Sequence, residues 1–184
     1  PELQGKRIAI ITHAGGPAVM LTDSLSNNKL EVPTISGAKA NELLEKLYPG
    51  SSVANPIDFL ATGNAEQLGH IIDACENDFE NIDAMAVIFG SPGLFPVYDV
   101  YDLLDRKMKE CKKPIYPILP SIINVKDEIE HFLAKGRINF PDEVVFGNAL
   151  AKVFYTPRPQ EFDPQLADID SKSIRKVIEN AQNG

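Results

Sequence analysis

Residues Ala84–Phe89 read Ala-Met-Ala-Val-Ile-Phe, an unbroken apolar run far shorter than the roughly 18 residues of a membrane helix. A run of this length with no polar face is the pattern of a strand covered on both sides by helices, which directs the chain toward a layered α/β architecture with a parallel sheet. Its surroundings agree. Arg7–Thr12 is a β-branched run that stops at a Gly-rich turn, and Pro17–Asn28 then places Ala18, Leu21 and Leu25 on one helical face. Pro17 suits a first helical position, and Asn27-Asn28 suits a left-handed C-terminal cap.

The alternation continues along the chain. Leu30–Ile35 reads as a strand weakened by Pro33, Gly37–Leu47 as a helix, and Val53–Phe59 as an extended segment. Within Asn64–Asn77, Leu68, Ile71, Ile72 and Cys75 form the apolar stripe of an amphipathic helix. Val97, Tyr101, Leu104 and Met108 share another helical face, and the Lys107–Lys113 cluster suits the negative end of that helix dipole. Ile115–Leu119 is the next strand, and Val125, Ile129, Phe132 and Leu133 mark a helix ending at Gly136. A short strand at Ile138–Phe140 and a helix with Phe146, Ala149, Leu150, Val153 and Phe154 inward complete the pattern. These elements predict a three-layer flavodoxin-like domain over residues 1–155, with a parallel five-stranded sheet in the order 2-1-3-4-5. Residues 156–184 read as a Pro-bearing linker followed by a short helix at Ser171–Gln182. The opening Pro1-Glu2-Leu3-Gln4-Gly5, without an initiator Met, reads as a segment of a longer polypeptide.

Charge narrows the partners. With 18 Lys and Arg against 26 Asp and Glu, the net charge is −8, which argues against nucleic acid. The whole excess lies in residues 51–100, which hold no Lys or Arg, and such a run reads as a solvated face or a surface for a basic neighbour. Cys75 and Cys111 stand apart, without metal-ligand spacing or a disulfide framework, which points to a reducing, cytoplasmic setting and to Cys75 as core. No segment reads as a membrane span.

Ligands of open α/β sheets bind outside the carboxyl ends of the strands, so His13–Pro17, Gly90–Phe95, Pro120–Asn124 and Asn55–Asp58 are the stretches to weigh. In His13-Ala14-Gly15-Gly16-Pro17, backbone without side chains precedes a helix, whose first N–H groups favour an anion such as phosphate. The loop is neither GxGxxG nor GxxxxGK[ST], so dinucleotide and P-loop readings lack their defining residues. Two glycines required by a tight strand-to-helix turn explain the same residues about as well. Ala14, Gly15, Gly16, Pro17 and Ala18 are the candidate phosphate-binding residues, with His13, Asn55 and Asp58 in possible support. His13 could serve as acid, base or nucleophile, although a hydrogen bond to neighbouring loop backbone is the stronger expectation. For Asn55 and Asp58, turn formation ranks ahead of catalysis. Ser91 and Ser121 follow strands without a GxSxG elbow.

Arg7–Pro17 resembles the "IAIVTNAGGPG" block of NDP-forming acyl-CoA synthetases, the ADP-forming acetate-CoA ligase group of the succinyl-CoA synthetase superfamily. Asn55-Pro56-Ile57-Asp58-Phe59 is similar to their "NPVDL" element, Asp83–Phe89 to a "DAVLVI" strand, and Lys113–Leu119 to a "KPV" strand. The resemblance spans nearly the whole chain, with His13 in place of the usual Asn and Ala18 in place of the usual Gly. It implies the ligase-CoA domain, with Gly15 and Gly16 in a loop whose helix aims its N-terminus at a phosphohistidine carried by another domain. No phosphohistidine motif or other catalytic residue is expected in this chain, and no cofactor bound by the domain alone. The complete enzyme would use CoA, ADP or ATP, phosphate and Mg. Its CoA-binding, phosphohistidine and ATP-grasp domains would be the partners, and an oligomer is possible. A non-catalytic flavodoxin-like docking module, or the same domain within a synthetase-like acetyltransferase, remain open alternatives.

Overall fold

A computed structural model describes residues 1–91, 96–121, 123–157 and 170–182. Four parallel strands, β1 (Ile8–Thr12), β2 (Ile57–Asp58), β3 (Ala84–Ile88) and β4 (Ile115–Ile118), form a sheet in the order β2-β1-β3-β4. All five residues of β1 and all five of β3 are buried, as strands covered on both faces must be. Side chains alternate between the faces of the sheet. Ala9, Ile11, Met85 and Val87 face α2 (Ala38–Leu44), α3 (Ala65–Asn77), α4 (Tyr98–Glu110) and α5 (Lys126–Ala134). Ile8, Ile10, Ala84, Ala86, Ile88 and Ile118 face α1 (Gly15–Asn27) and α6 (Glu143–Tyr155). The result is the predicted three-layer arrangement. Leu21 and Leu25 of α1 pack with Phe146 and Leu150 of α6, each removal to Ala costing about 2–5 kcal/mol. Asn28 and Asn148 tie the same two helices at 2.8 Å.

The five-strand expectation is corrected at both edges. Of Leu30–Ile35, one parallel bridge survives, Glu31 to Arg7, and of Ile138–Phe140 one bridge, Phe140 to Ile118. Two Asn carboxamides occupy ladder positions instead. Asn55 Oδ1 accepts from Ile10 N at 2.9 Å, and its Nδ2 donates to Ile8 O at 3.0 Å and Pro33 O at 2.9 Å. At the opposite edge Asn139 Oδ1 accepts from Leu119 N at 2.9 Å, while its Nδ2 donates to Leu119 O at 3.1 Å. Side-chain amides carry the same donor and acceptor as a peptide, so they can finish a sheet where a strand stops.

Other boundaries shift for identifiable reasons. Helix α1 starts at Gly15, placing Pro17 third rather than first, where its missing N–H still falls within the unpaired first turn. Lys29 (φ 63°), not an Asn, takes the left-handed position after that helix. Val153 is 76% exposed, contrary to its expected inward place, because Phe146, Gly147, Leu150 and Ala151 complete the buried stripe of α6. Cys75 is fully buried, and its thiol is pushed up to about 12 by that burial. The linker expected after Thr156 falls largely on residues 158–169, outside the described residues, and α7 (Ser171–Gln182) follows with no buried residue.

The acidic run of residues 51–100 meets its partners within the domain. Lys107 on α4 reaches Asp73 at 2.6 Å, Lys39 lies 3.8 Å from Asp78, and Glu76 accepts from the backbone N–H groups of Lys112 and Lys113. Lys39 of α2 and Lys107 of α4 thus each pair with one acid of the run. No helix among the described residues is long and apolar enough to cross a membrane.

Candidate functional site

The carboxyl ends of β1, β2, β3 and β4 bring the predicted loops to one rim. Thr12, last in β1 and fully buried, closes a tight turn onto Ala14: its Oγ1 accepts from Ala14 N at 2.9 Å and donates to Ala14 O at 2.8 Å. Ala14 is the N-cap of α1 and has no side chain with which to cap it. Pro17 has no N–H, and from Ala18 onward the amides belong to the helix ladder. Gly15 and Gly16 consequently present the open N–H groups, and both residues are exposed.

Neither glycine is required by the turn. Both avoid the left-handed region that glycine favours, and a Cβ built on Gly16 meets nothing within 4 Å. A Cβ on Gly15 would stand 3.6 Å from Asp58 Oδ2, an ordinary contact. The tight-turn explanation therefore loses its physical basis, and the bare backbone leaves space on the outer side of the loop.

Asp58, at the end of β2, brings a carboxylate beside this helix start. Its Oδ1 accepts from Leu60 N at 2.9 Å, so it also makes the expected turn. Asn55 is committed to the sheet edge by its three hydrogen bonds. His13 Nε2 accepts from Gly90 N at 2.6 Å, and its ring lies 4.5 Å from that of Phe89. Burial pushes the His13 imidazole below its ordinary value, opposed by the charge of Asp58. Ser91 N donates to Ser121 Oγ at 2.8 Å, linking the β3 and β4 loops. The rim is thus tied from β1 through β3 to β4. Gly90 lies in one of the expected rim stretches, whereas Thr12 and Phe89 are site residues that sequence reasoning passed over. Only Thr12 carried a local signal, a hydroxyl two residues before a helix cap.

His70 and His131 lie on helices beside Glu66 and Asp102, not on this rim. Residues 92–95 and Ile122 of the expected rim loops lie outside the described residues. Among the described residues, no group of three or more His, Cys, Asp or Glu could hold a metal ion. What the rim offers chemically is a pair of backbone donors at a helix N-terminus, a neutral imidazole and one carboxylate.

No family model matches the chain. A stretch of 66 residues is 35% identical to the alpha subunit of acetate-CoA ligase [ADP-forming] II of Pyrococcus furiosus, covering 36% of this chain and 14% of that protein. Another of 81 residues is 30% identical to acetate-CoA ligase [ADP-forming] I of Archaeoglobus fulgidus, covering 44% of this chain and 12% of the relative. A crystal structure of a Pyrococcus horikoshii protein superposes with a TM-score of 0.73 at 25% identity, over 83% of this chain and 36% of that one. Acetyl-coenzyme A synthetase 1 of Candidatus Korarchaeum cryptofilum, solved in complex with phosphate and ADP, shares the fold at TM-score 0.66 and 22% identity, over 86% of this chain and 37% of its own. The chain thus spans little more than a third of the solved structures it matches. In sequence and in fold, it resembles a domain-sized segment of the ADP-forming acetate-CoA ligases, within the NDP-forming acyl-CoA synthetases.

Proposed function

We propose that this chain is the ligase-CoA domain of an NDP-forming acyl-CoA synthetase, using the start of α1 to stabilise a phosphohistidine presented by another domain. The observation that carries the reading is Gly16: no part of the fold needs its missing side chain, and its Cβ position is open. An exposed residue without a side chain suits close approach from outside. The enzyme interconverts acyl-CoA, NDP and phosphate with acid, CoA and NTP, its phosphoryl group passing from an acyl phosphate through histidine to the nucleotide.

A phosphorylated imidazole enclosed between domains loses water and needs donors already in place. The Gly15 and Gly16 amides and the α1 dipole supply them without Lys or Arg. The reacting histidine, CoA, the nucleotide and Mg belong to the CoA-binding, phosphohistidine and ATP-grasp domains, in a cytoplasmic enzyme. Residues 1–155 form the domain, and 156–184 lead toward the ATP-grasp part.

The test is the phosphoenzyme. Replacing Gly15 and Gly16 together by Val in the assembled enzyme is expected to lower phosphohistidine yield and turnover while CoA binding stays unchanged. Normal phosphoenzyme kinetics in that variant would refute the assignment.

A further inference from the structure

We infer that His13 is a proton-controlled positioning residue that latches the β3 loop to the loop before α1 when neutral and releases it when protonated. The asymmetry of the His13–Gly90 hydrogen bond carries this inference. A backbone N–H only donates, so at 2.6 Å Nε2 is the acceptor, and the neutral ring holds its proton on Nδ1. Protonation places a second N–H on Nε2, directed at the Gly90 N–H. Two donors cannot share that bond, so the contact breaks rather than weakening gradually.

Burial favours the neutral, latched form, whereas the Asp58 charge and backbone hydrogen bonds of His13 and Gly90 favour the protonated ring. The ring packs on the buried Phe89, which also contacts Phe59 and Tyr101 and so cannot easily yield. Gly90 is also closely packed: a Cβ there would stand 2.8 Å from Ser121 Oγ and 3.6 Å from His13 Nε2, and the next residue, Ser91, donates to that hydroxyl. Asp58, from β2, is the charged side chain acting on the ring; β3 contributes Phe89 and Gly90, and β4 contributes Ser121. The positive end of α1 also disfavours an imidazolium. Release would free the Gly90–Ser91 segment from the β1 loop and leave a cationic ring facing Asp58.

Resting on the phosphate reading, this predicts that the Gly15-Gly16 loop is fully ordered for an anion only above the His13 midpoint. Below it the latched fraction falls about tenfold per pH unit.

An NMR titration of the isotope-labelled 184-residue chain tests the latch directly. The expected result is an Nδ1–H tautomer for His13 at pH 7.5. Its midpoint should lie below the ordinary histidine value, and the Gly90 and Ser91 amides should shift with that same midpoint. His13→Asn should abolish the pH response of those amides while the remaining spectrum stays folded. An Nε2–H tautomer at pH 7.5, or a Gly90 amide that stays fixed while His13 titrates, would overturn the latch. Inorganic phosphate added at pH 7.5 to the same sample separates the two readings. Silence at Gly15 and Gly16 counts against phosphate stabilisation and leaves the latch standing, whereas a phosphate response with an immobile Gly90 does the reverse.

Discussion

Asn55 and Asn139 stand at opposite edges of the sheet and do the same work, each carboxamide pairing with the backbone of the neighbouring strand. Asn55 serves Ile8 and Ile10 and also holds Pro33, from a left-handed conformation (φ 70°) that Asn tolerates better than most residues. Asn55→Ala therefore orphans buried groups on β1 and adds backbone strain, with an expected loss of about 3 kcal/mol. Asn139→Ala should cost less, about 1–2 kcal/mol, because Leu119 N also bonds Phe140 O. Urea unfolding of both variants measures the order; equal losses would contradict this account of the edges.

Those carboxamides also show why the middle of this fold was legible in its sequence and its margins were not. Ala84–Phe89 and the stripe of Leu68, Ile71, Ile72 and Cys75 record burial directly, and the structure repeats them with nearly the same boundaries. An edge that stops after one bridge has no periodicity to read, and its substitute is a side chain 45 positions away from Ile10. The rim behaves similarly. Gly15 and Gly16 stood out as a pair, but the His13–Gly90 contact spans 77 positions and depends on strand order, which local pattern does not determine.

At the other end of the sheet, Arg7 clasps Asp83 through Nε at 2.9 Å and Nη2 at 2.6 Å, and the Arg7 backbone N–H adds a third bond. Hydrogen bonding from Arg7 holds the Asp83 carboxyl below its ordinary value, against the opposing effect of burial. The sign follows from linkage. With the folded pKa below the unfolded one, near 3.9, the contribution is complete above the unfolded value and is lost as pH falls through the folded one. Asp83→Asn should thus lower stability at pH 7, and the gap between it and the parent should narrow below about pH 4. A pH-independent gap in thermal unfolding would show that the charge is not responsible.

Tyr101 is fully buried among Phe89 and Phe132, and its hydroxyl has no hydrogen-bond partner among the described residues. A buried hydroxyl stripped of water without a partner costs about 1–3 kcal/mol. Tyr101→Phe keeps the ring contacts and removes that cost, so it is expected to stabilise the chain by about 1 kcal/mol, with a higher Tm. A lower Tm would mean that the hydroxyl is satisfied in solution.

The Asp58 carboxylate beside Gly15 interacts favourably with the α1 dipole and should oppose an arriving phosphoryl dianion. Asp58→Asn preserves the acceptor for Leu60 N and removes only the charge. It should tighten inorganic phosphate at the Gly15 and Gly16 amides on the order of severalfold at low salt. The gain should shrink as ionic strength shortens the screening length to about 10 Å at 0.1 M. Weaker phosphate binding in this variant would instead make Asp58 a partner of the anion, for example through a shared proton.

Fold and function make different demands on one residue of the loop. Gly16 lies in the first turn of α1, has a backbone conformation open to any residue, and leaves its Cβ direction empty. For the isolated chain, Gly16→Ala should be neutral or stabilising by up to about 1 kcal/mol, because Ala loses less conformational entropy in a helix. The same methyl group would project into the space proposed for the phosphohistidine, so the assembled enzyme should lose phosphoenzyme while gaining or keeping stability. A domain shaped only for its own packing predicts no such divergence. Measuring Tm and phosphorylation on the one variant decides between them, and a Gly16→Ala enzyme unchanged in both would reduce the Gly-rich loop to a connector.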